Sequence, residues 1–131
     1  MRILVTGSRD YTEEDRPFLY KKLNDVVDAF EEAIPGEWSP TLVVGDCPTG
    51  VDLFAFQFWA INRWPIEMHK ADWTAQGKKA GPLRNQEMVD SGVHICLAFP
   101  KGESRGTRGC AKLAKDAQVP TMIMEYPNGN S

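Results

Sequence analysis

At 131 residues, 42% hydrophobic and 25% charged, the chain has the composition of one globular domain with a buried core. Its 15 Lys and Arg against 18 Asp and Glu leave a net charge of −3; this disfavours a general nucleic-acid binder, which is usually basic, but not a local basic pocket. No apolar stretch approaches the roughly 20 residues of a membrane span, and a strand-like run begins at Arg2 where a secretory leader would place its basic and apolar regions, so a cytoplasmic protein with no membrane partner is expected.

Strand-like and helix-like runs alternate along the chain. Residues 2–6 (Ile3, Leu4, Val5) predict a first strand. From about 15 to 34, Phe18, Leu19, Leu23, Val26, Val27, Phe30 and Ile34 recur on one helical face. Pro17 is tolerated in the first turn, and Pro35-Gly36 is the expected terminator. Residues 41–44 predict a second strand. A second helix follows from 51 to about 63, rich in aromatics (Phe54, Phe56, Phe58, Trp59) and broken by Pro65. Residues 66–69 predict a short third strand and 70–81 a long loop. A third helix is expected from 82 to about 90, with Gly81 as N-cap and Pro82 at the first helical position. The apolar run 93–99 predicts a fourth strand, 105 to about 117 a fourth helix, and 121–124 a fifth strand after Pro120. Residues 127–131 read as a frayed tail to a domain spanning 1–126. This β–α alternation, without repeat or linker, predicts a single Rossmann-like α/β domain: a mostly parallel sheet of about five strands with helices on both faces.

The three cysteines, Cys47, Cys96 and Cys110, are odd in number and widely spaced, which suits free thiols in a reducing compartment. They form no metal-ligand pattern with His69 and His94, so neither metal nor cofactor is expected. Both histidines fall inside predicted strands and read as core residues, and no Ser–His–Asp arrangement is visible.

In parallel α/β sheets, ligands bind outside the carboxyl ends of the strands. The loops that follow the predicted strands should therefore gather along one edge. Gly7-Ser8-Arg9 offers a tight turn with two donors, or a Ser8-capped turn with Arg9 in solvent. In the 45–52 segment, Gly50 permits close approach. Asp52 either complements a helix dipole, accepts hydrogen bonds from a ribose or orients Arg9. Gly81, Arg84 and Asn85 belong to a glycine-rich turn; Arg84 can fork onto phosphate and Asn85 can meet a base or sugar. Arg84 should face the loops and lie outside the core, so that Arg84→Ala weakens ligand binding with little change in stability. Trp73, just upstream, either stacks on a base or packs against the core. Gly102, Ser104, Arg105, Gly106 and Thr107 form a second glycine-rich turn before a helix, where backbone N–H groups can cradle phosphate. The spacing is neither a Walker A loop nor a GxGxxG fingerprint.

Taken together, Gly7-Ser8-Arg9, Gly45 with Gly50-x-Asp52, Ala71-Asp72-Trp73, Gly77-x-x-Ala80-Gly81-Pro82-x-Arg84-Asn85 and Phe99-Pro100 with Gly106-Thr107 resemble the SLOG superfamily, specifically its YspA-like branch, over about residues 2–124. The resemblance implies a Rossmann-like fold that binds nucleotide-derived ligands, and a role in sensing or processing them. Related LOG-type phosphoribohydrolases cleave a nucleoside monophosphate to free base and ribose 5-phosphate, and DprA, a single-stranded DNA binder, is a distant cousin. The LOG motif Pro-Gly-Gly-x-Gly-Thr-x-x-Glu is not kept: Lys101 stands at its second position and Cys110 at that of the catalytic Glu. Arg84 approximates the catalytic Arg of that group, and Asp52 or Glu103 is the candidate substitute acid.

The primary expectation is therefore a nucleotide or ADP-ribose-like small molecule held at the carboxyl edge. Arg9, Arg84, Ser104, Arg105 and Thr107 would meet its phosphate, and Asp52 and Asn85 its ribose or base. The alternatives are N-glycoside hydrolysis of such a ligand, with Asp52, Glu103 and Arg84 as catalytic candidates, and a nucleic-acid or protein interaction module. Relatives resembling this fold often pair as homodimers, and the aromatic second helix is either a surface for such pairing or core.

Overall fold

A computed structural model describes residues 1–34, 36 and 39–127. Five strands, β1 (Arg2–Gly7), β2 (Thr41–Gly45), β3 (Ile66–His69), β4 (Ile95–Phe99) and β5 (Thr121–Ile123), form one sheet in the order β3-β2-β1-β4-β5. Every neighbouring pair is parallel, with Leu4 opposite Val43 on one side and Cys96 on the other. The helices are α1 (Arg16–Ala33), α2 (Gly50–Ile61), the single turn α3 (Trp73–Gln76), α4 (Ala80–Asp90) and α5 (Arg105–Asp116). The protein is a single Rossmann-like α/β domain. Among the described residues, no helix is long and apolar enough to cross a membrane.

Strand side chains alternate between faces, and this sorts the core into two layers. Ile3, Val5, Leu42, Val44, Leu97 and Phe99 pack under Leu19 and Leu23 of α1 and Val51, Phe54, Phe58 and Trp59 of α2. Leu4, Val43 and Cys96 face the other way, against Met88 and Val89 of α4 and Cys110 and Ala114 of α5. Strands covered on both faces read as continuous apolar runs, which is why 93–99 shows no alternation. The aromatic richness of α2 is mainly core: Phe54, Phe58 and Trp59 are buried, while Phe56 and Ile61 face out.

Several local expectations are corrected. The 70–81 loop contains α3 and a 3-10 turn (Gly77–Lys79) that runs straight into α4. The helix therefore begins at Ala80 with Lys79 before it, and Gly81 lies within the first turn instead of capping it. Ala80 is fully buried and anchors that earlier start. His94 lies before β4, is exposed, and accepts a hydrogen bond from the Arg2 backbone at 2.9 Å. His69 closes edge strand β3, each ring nitrogen 2.8 Å from a carboxylate, of Glu67 and Glu87. Neither histidine is core. Ile34 follows the end of α1 and is exposed. Pro35 and most of the predicted tail, 128–131, lie outside the described residues.

Candidate functional site

The strand order reverses direction between β1 and β4, and crevices open at such switch points. The Ser8 backbone N–H donates to the Phe99 carbonyl at 3.0 Å, tying the exits of these two strands together. Over them lies a cleft of about 960 Å³, large enough for a nucleotide-sized ligand. Its walls come from the segments after β1 and β2 and from α3, α4 and α5. Of the candidates named from sequence, Gly7, Ser8, Arg9, Asp52, Trp73, Gly81, Arg84, Asn85, Ser104, Arg105, Gly106 and Thr107 all line it.

Gly45 and Gly50 do not line the cleft, but shape it from behind. A Cβ on Gly45 would overlap the Arg84 guanidinium and the Asp52 carboxylate. Gly50 has φ +72°, and a Cβ there would strike the Ser8 carbonyl and Arg9 backbone. That close approach lets the Val51 N–H donate to Ser8 O at 3.1 Å, docking the β1 exit onto the start of α2. Gly102 (φ +70°) shapes the turn before α5. Glu103 is exposed and pairs with Arg105 at 3.0 Å, away from the lining.

The floor is polar and buried. Asp52, Asn85, Ser8 and Thr107 are each no more than 9% exposed. Asp52 projects from the first turn of α2. Burial pushes its carboxyl up to about 6, against the pull of the Arg84 guanidinium and a hydrogen bond from the Cys47 backbone; nearby Asp46 adds to the rise. Arg84 donates through Nε to Asn85 Oδ1 (3.0 Å) and through Nη1 to Asp46 Oδ1 (3.3 Å). Its side chain is only 13% exposed, so it is part of the floor and not the loop-facing group expected. Removing it would strand Asp52 and Asp46.

The rim carries less restrained cations. Arg9 is exposed and lies 5.9 Å from the Trp73 ring. Arg105 is 87% exposed at the start of α5. Trp73 itself is 50% exposed, which overturns a core role; it leans over Gly81, where an added Cβ would sit 3.3 Å from the indole. Ser8 realises the capped-turn reading, accepting from the Asp10 N–H at 3.0 Å.

The turn before α5 is pre-built by its own residues and by Arg108, which sequence reasoning missed. Ser104 adopts a left-handed φ of +44° and its hydroxyl donates to Thr107 Oγ1 at 2.9 Å. Arg108 donates to the carbonyls of Gly102 (2.8 Å) and Glu103 (2.9 Å), and its guanidinium is held by Glu125. A signal existed, since a cation in a helix's first turn opposes the dipole and so asks for another purpose. Cys110, at the LOG glutamate position, is buried beneath the site against Cys96 and does not line the cleft. Among the described residues, no group of three or more His, Cys, Asp or Glu is placed to hold a metal ion.

Comparison with known proteins supplies a relative for this arrangement. The Gene 61 protein of Mycobacterium phage D29 is 37% identical over 126 residues, covering 92% of this chain and 94% of the phage protein. The chain belongs to the family of that phage protein. No family model matches the chain, and no solved structure matches it. The relative's name specifies neither ligand nor reaction, so chemistry has to be argued from the cleft.

Proposed function

We propose that the protein binds a phosphorylated, nucleotide-derived small molecule in the cleft over β1 and β4, as the SLOG-like, YspA-like pattern of its loops implies. The observation that carries the reading is convergence. Segments distant in sequence deliver Arg9, Arg84, Arg105 and the N–H groups at the start of α5 to one cleft at a topological switch point. Helix N-termini and guanidinium forks both favour phosphate. The buried Asp52 carboxyl and Asn85 amide supply the acceptor and donor that a ribose needs. With its three free thiols, we place this activity in the reducing cytoplasm.

The test is thermal stability against nucleotides, cyclic nucleotides, NAD and ADP-ribose. A ligand at about a hundred times its Kd adds roughly 2.7 kcal/mol. A selective upward shift in Tm, reduced in Arg84→Lys, is the expected outcome; Lys keeps the charge but loses the fork. No shift with any compound would count against the reading.

Asp52 favours a second reading, N-glycoside hydrolysis. A buried carboxyl titrating near 6 beside an arginine is ionised at neutral pH, and can stabilise positive charge developing on a ribose. Release of free base from nucleoside monophosphates, falling about 100-fold or more in Asp52→Asn, would support it. Full turnover in that variant would remove Asp52 from the chemistry.

A further inference from the structure

The cleft is not uniform. Its buried floor is polar, through Ser8, Asp52, Asn85 and Thr107. Asn85 spends its carbonyl oxygen on Arg84, and its NH₂ group makes no hydrogen bond among the described residues although the side chain is only 7% exposed. One stretch of the remaining lining is apolar. Gly106, Gly109 and Leu113 follow one another at helical spacing along a face of α5. Gly81 and Pro82 line the cleft from the first turn of α4, and the Trp73 indole leans over Gly81. A Cβ added at Gly106 or Gly109 would meet nothing within 4 Å, so these glycines are not demanded by packing, and each lowers helix stability relative to alanine. What they leave is a smooth-floored furrow between α4 and α5, continuous with the polar floor.

We infer that this furrow is the seat of the ligand's planar base, stacked against Trp73 and lying across Gly109 toward Pro82 and Leu113, while its phosphate occupies the polar end beside Arg84 and Thr107. A sugar phosphate alone would use only the polar half. An alkyl chain would fit the apolar stretch but would leave the polar floor and its cations unused. A ring system that stacks on an aromatic face and carries a ribose phosphate uses both halves. The inference rests on the nucleotide reading above and assigns Gly109, Pro82 and Leu113 a part in specificity.

The experiment compares calorimetric binding of ribose 5-phosphate with that of the 5′-monophosphates of adenosine, guanosine, cytidine and uridine, in wild type, Gly109→Leu and Trp73→Ala. Stacking on an aromatic side chain is worth about tenfold or more in affinity. At least one nucleotide should therefore bind wild type about tenfold tighter than ribose 5-phosphate. Both variants should bring that nucleotide down to the ribose 5-phosphate level and leave ribose 5-phosphate binding in place. Gly109→Leu should melt no lower than wild type, since its side chain enters open space, so its loss of affinity would not be a folding defect. Equal wild-type affinity for nucleotide and ribose 5-phosphate, or full nucleotide affinity in Gly109→Leu, would overturn the base seat while leaving the phosphate site standing. Binding of neither compound class would overturn the base seat together with the nucleotide reading.

Discussion

Asp52 shows how one residue can carry opposite demands. Its carboxyl is buried and raised to about 6 from an ordinary 3.8, so the folded state holds its proton more tightly than the unfolded state. Its contribution to stability is fully present below about pH 4 and is lost as pH rises through 6. A shift of this size corresponds to about 3 kcal/mol. Asp52→Asn, neutral at every pH, should therefore be more stable than wild type at pH 8 by up to about 2 kcal/mol, allowing for lost attraction to Arg84. The gap should close by pH 4. Urea unfolding at the two pH values checks this, and a variant less stable at pH 8 would show that the Arg84 attraction outweighs burial. A group kept at such a cost fits a role in the cleft. Sequence alone placed Asp52 in a helix's first turn but did not show that it is buried, because burial depends on Arg84 and Gly45 folding over it from elsewhere in the chain.

Among the elements, the start of α2 and the start of α5 use glycine differently. Gly50 combines φ +72° with backbone packed where its Cβ would be. Gly50→Ala should cost about 2 kcal/mol or more, seen as a lower urea midpoint with unchanged slope. Gly109→Ala sits in a helix with nothing near its Cβ, and should stabilise the ligand-free protein by about 0.5–1 kcal/mol. Neither residue type nor spacing distinguishes the two glycines. The distinction comes from what the chain packs against each one. The start of α4 illustrates another limit: Gly81-Pro82 reads locally as a cap, but buried Ala80 extends the helix by tertiary contact.

Across the whole molecule, a clasp joins the segment after β1, the turn after β4 and the C-terminal segment. Lys101 Nζ meets Asp15 Oδ2 at 2.7 Å and stands 4.9 Å from the Tyr126 ring, while the Tyr126 N–H donates to the Pro100 carbonyl at 3.1 Å. Burial pushes Asp15 up, but hydrogen bonds from Lys101, Tyr126 and the Thr12 backbone overcome it and hold the carboxyl at about 2. A depressed acid stabilises above its unfolded value near 4, and that stability is lost as pH falls toward 2. Lys101→Met should cost about 2 kcal/mol at pH 7, toward the lower end for a broken pair because Lys101 is 33% exposed. The loss of stability between pH 4 and 2 should also be shallower in the variant, measured by acid titration of unfolding. An unchanged acid limb would show that Tyr126 and Thr12 hold Asp15 without the lysine.

The amino-acid order by itself determined the alternation of strands and helices, because apolar period and breakers are local properties, and with it the parallel sheet and the edge on which the loops gather. It also marked most of the cleft's lining, since the loops that follow the strands of a parallel sheet share one edge. Tertiary structure alone decided which of those residues form the floor and which the rim. Arg84 became largely buried, Trp73 exposed and Glu103 excluded from the lining, and Lys101 and Leu113 took places that no local pattern announced. Burial and electrostatic partners are set by segments that meet only when the sheet is assembled, and those contacts have no signature in the spacing of neighbouring residues.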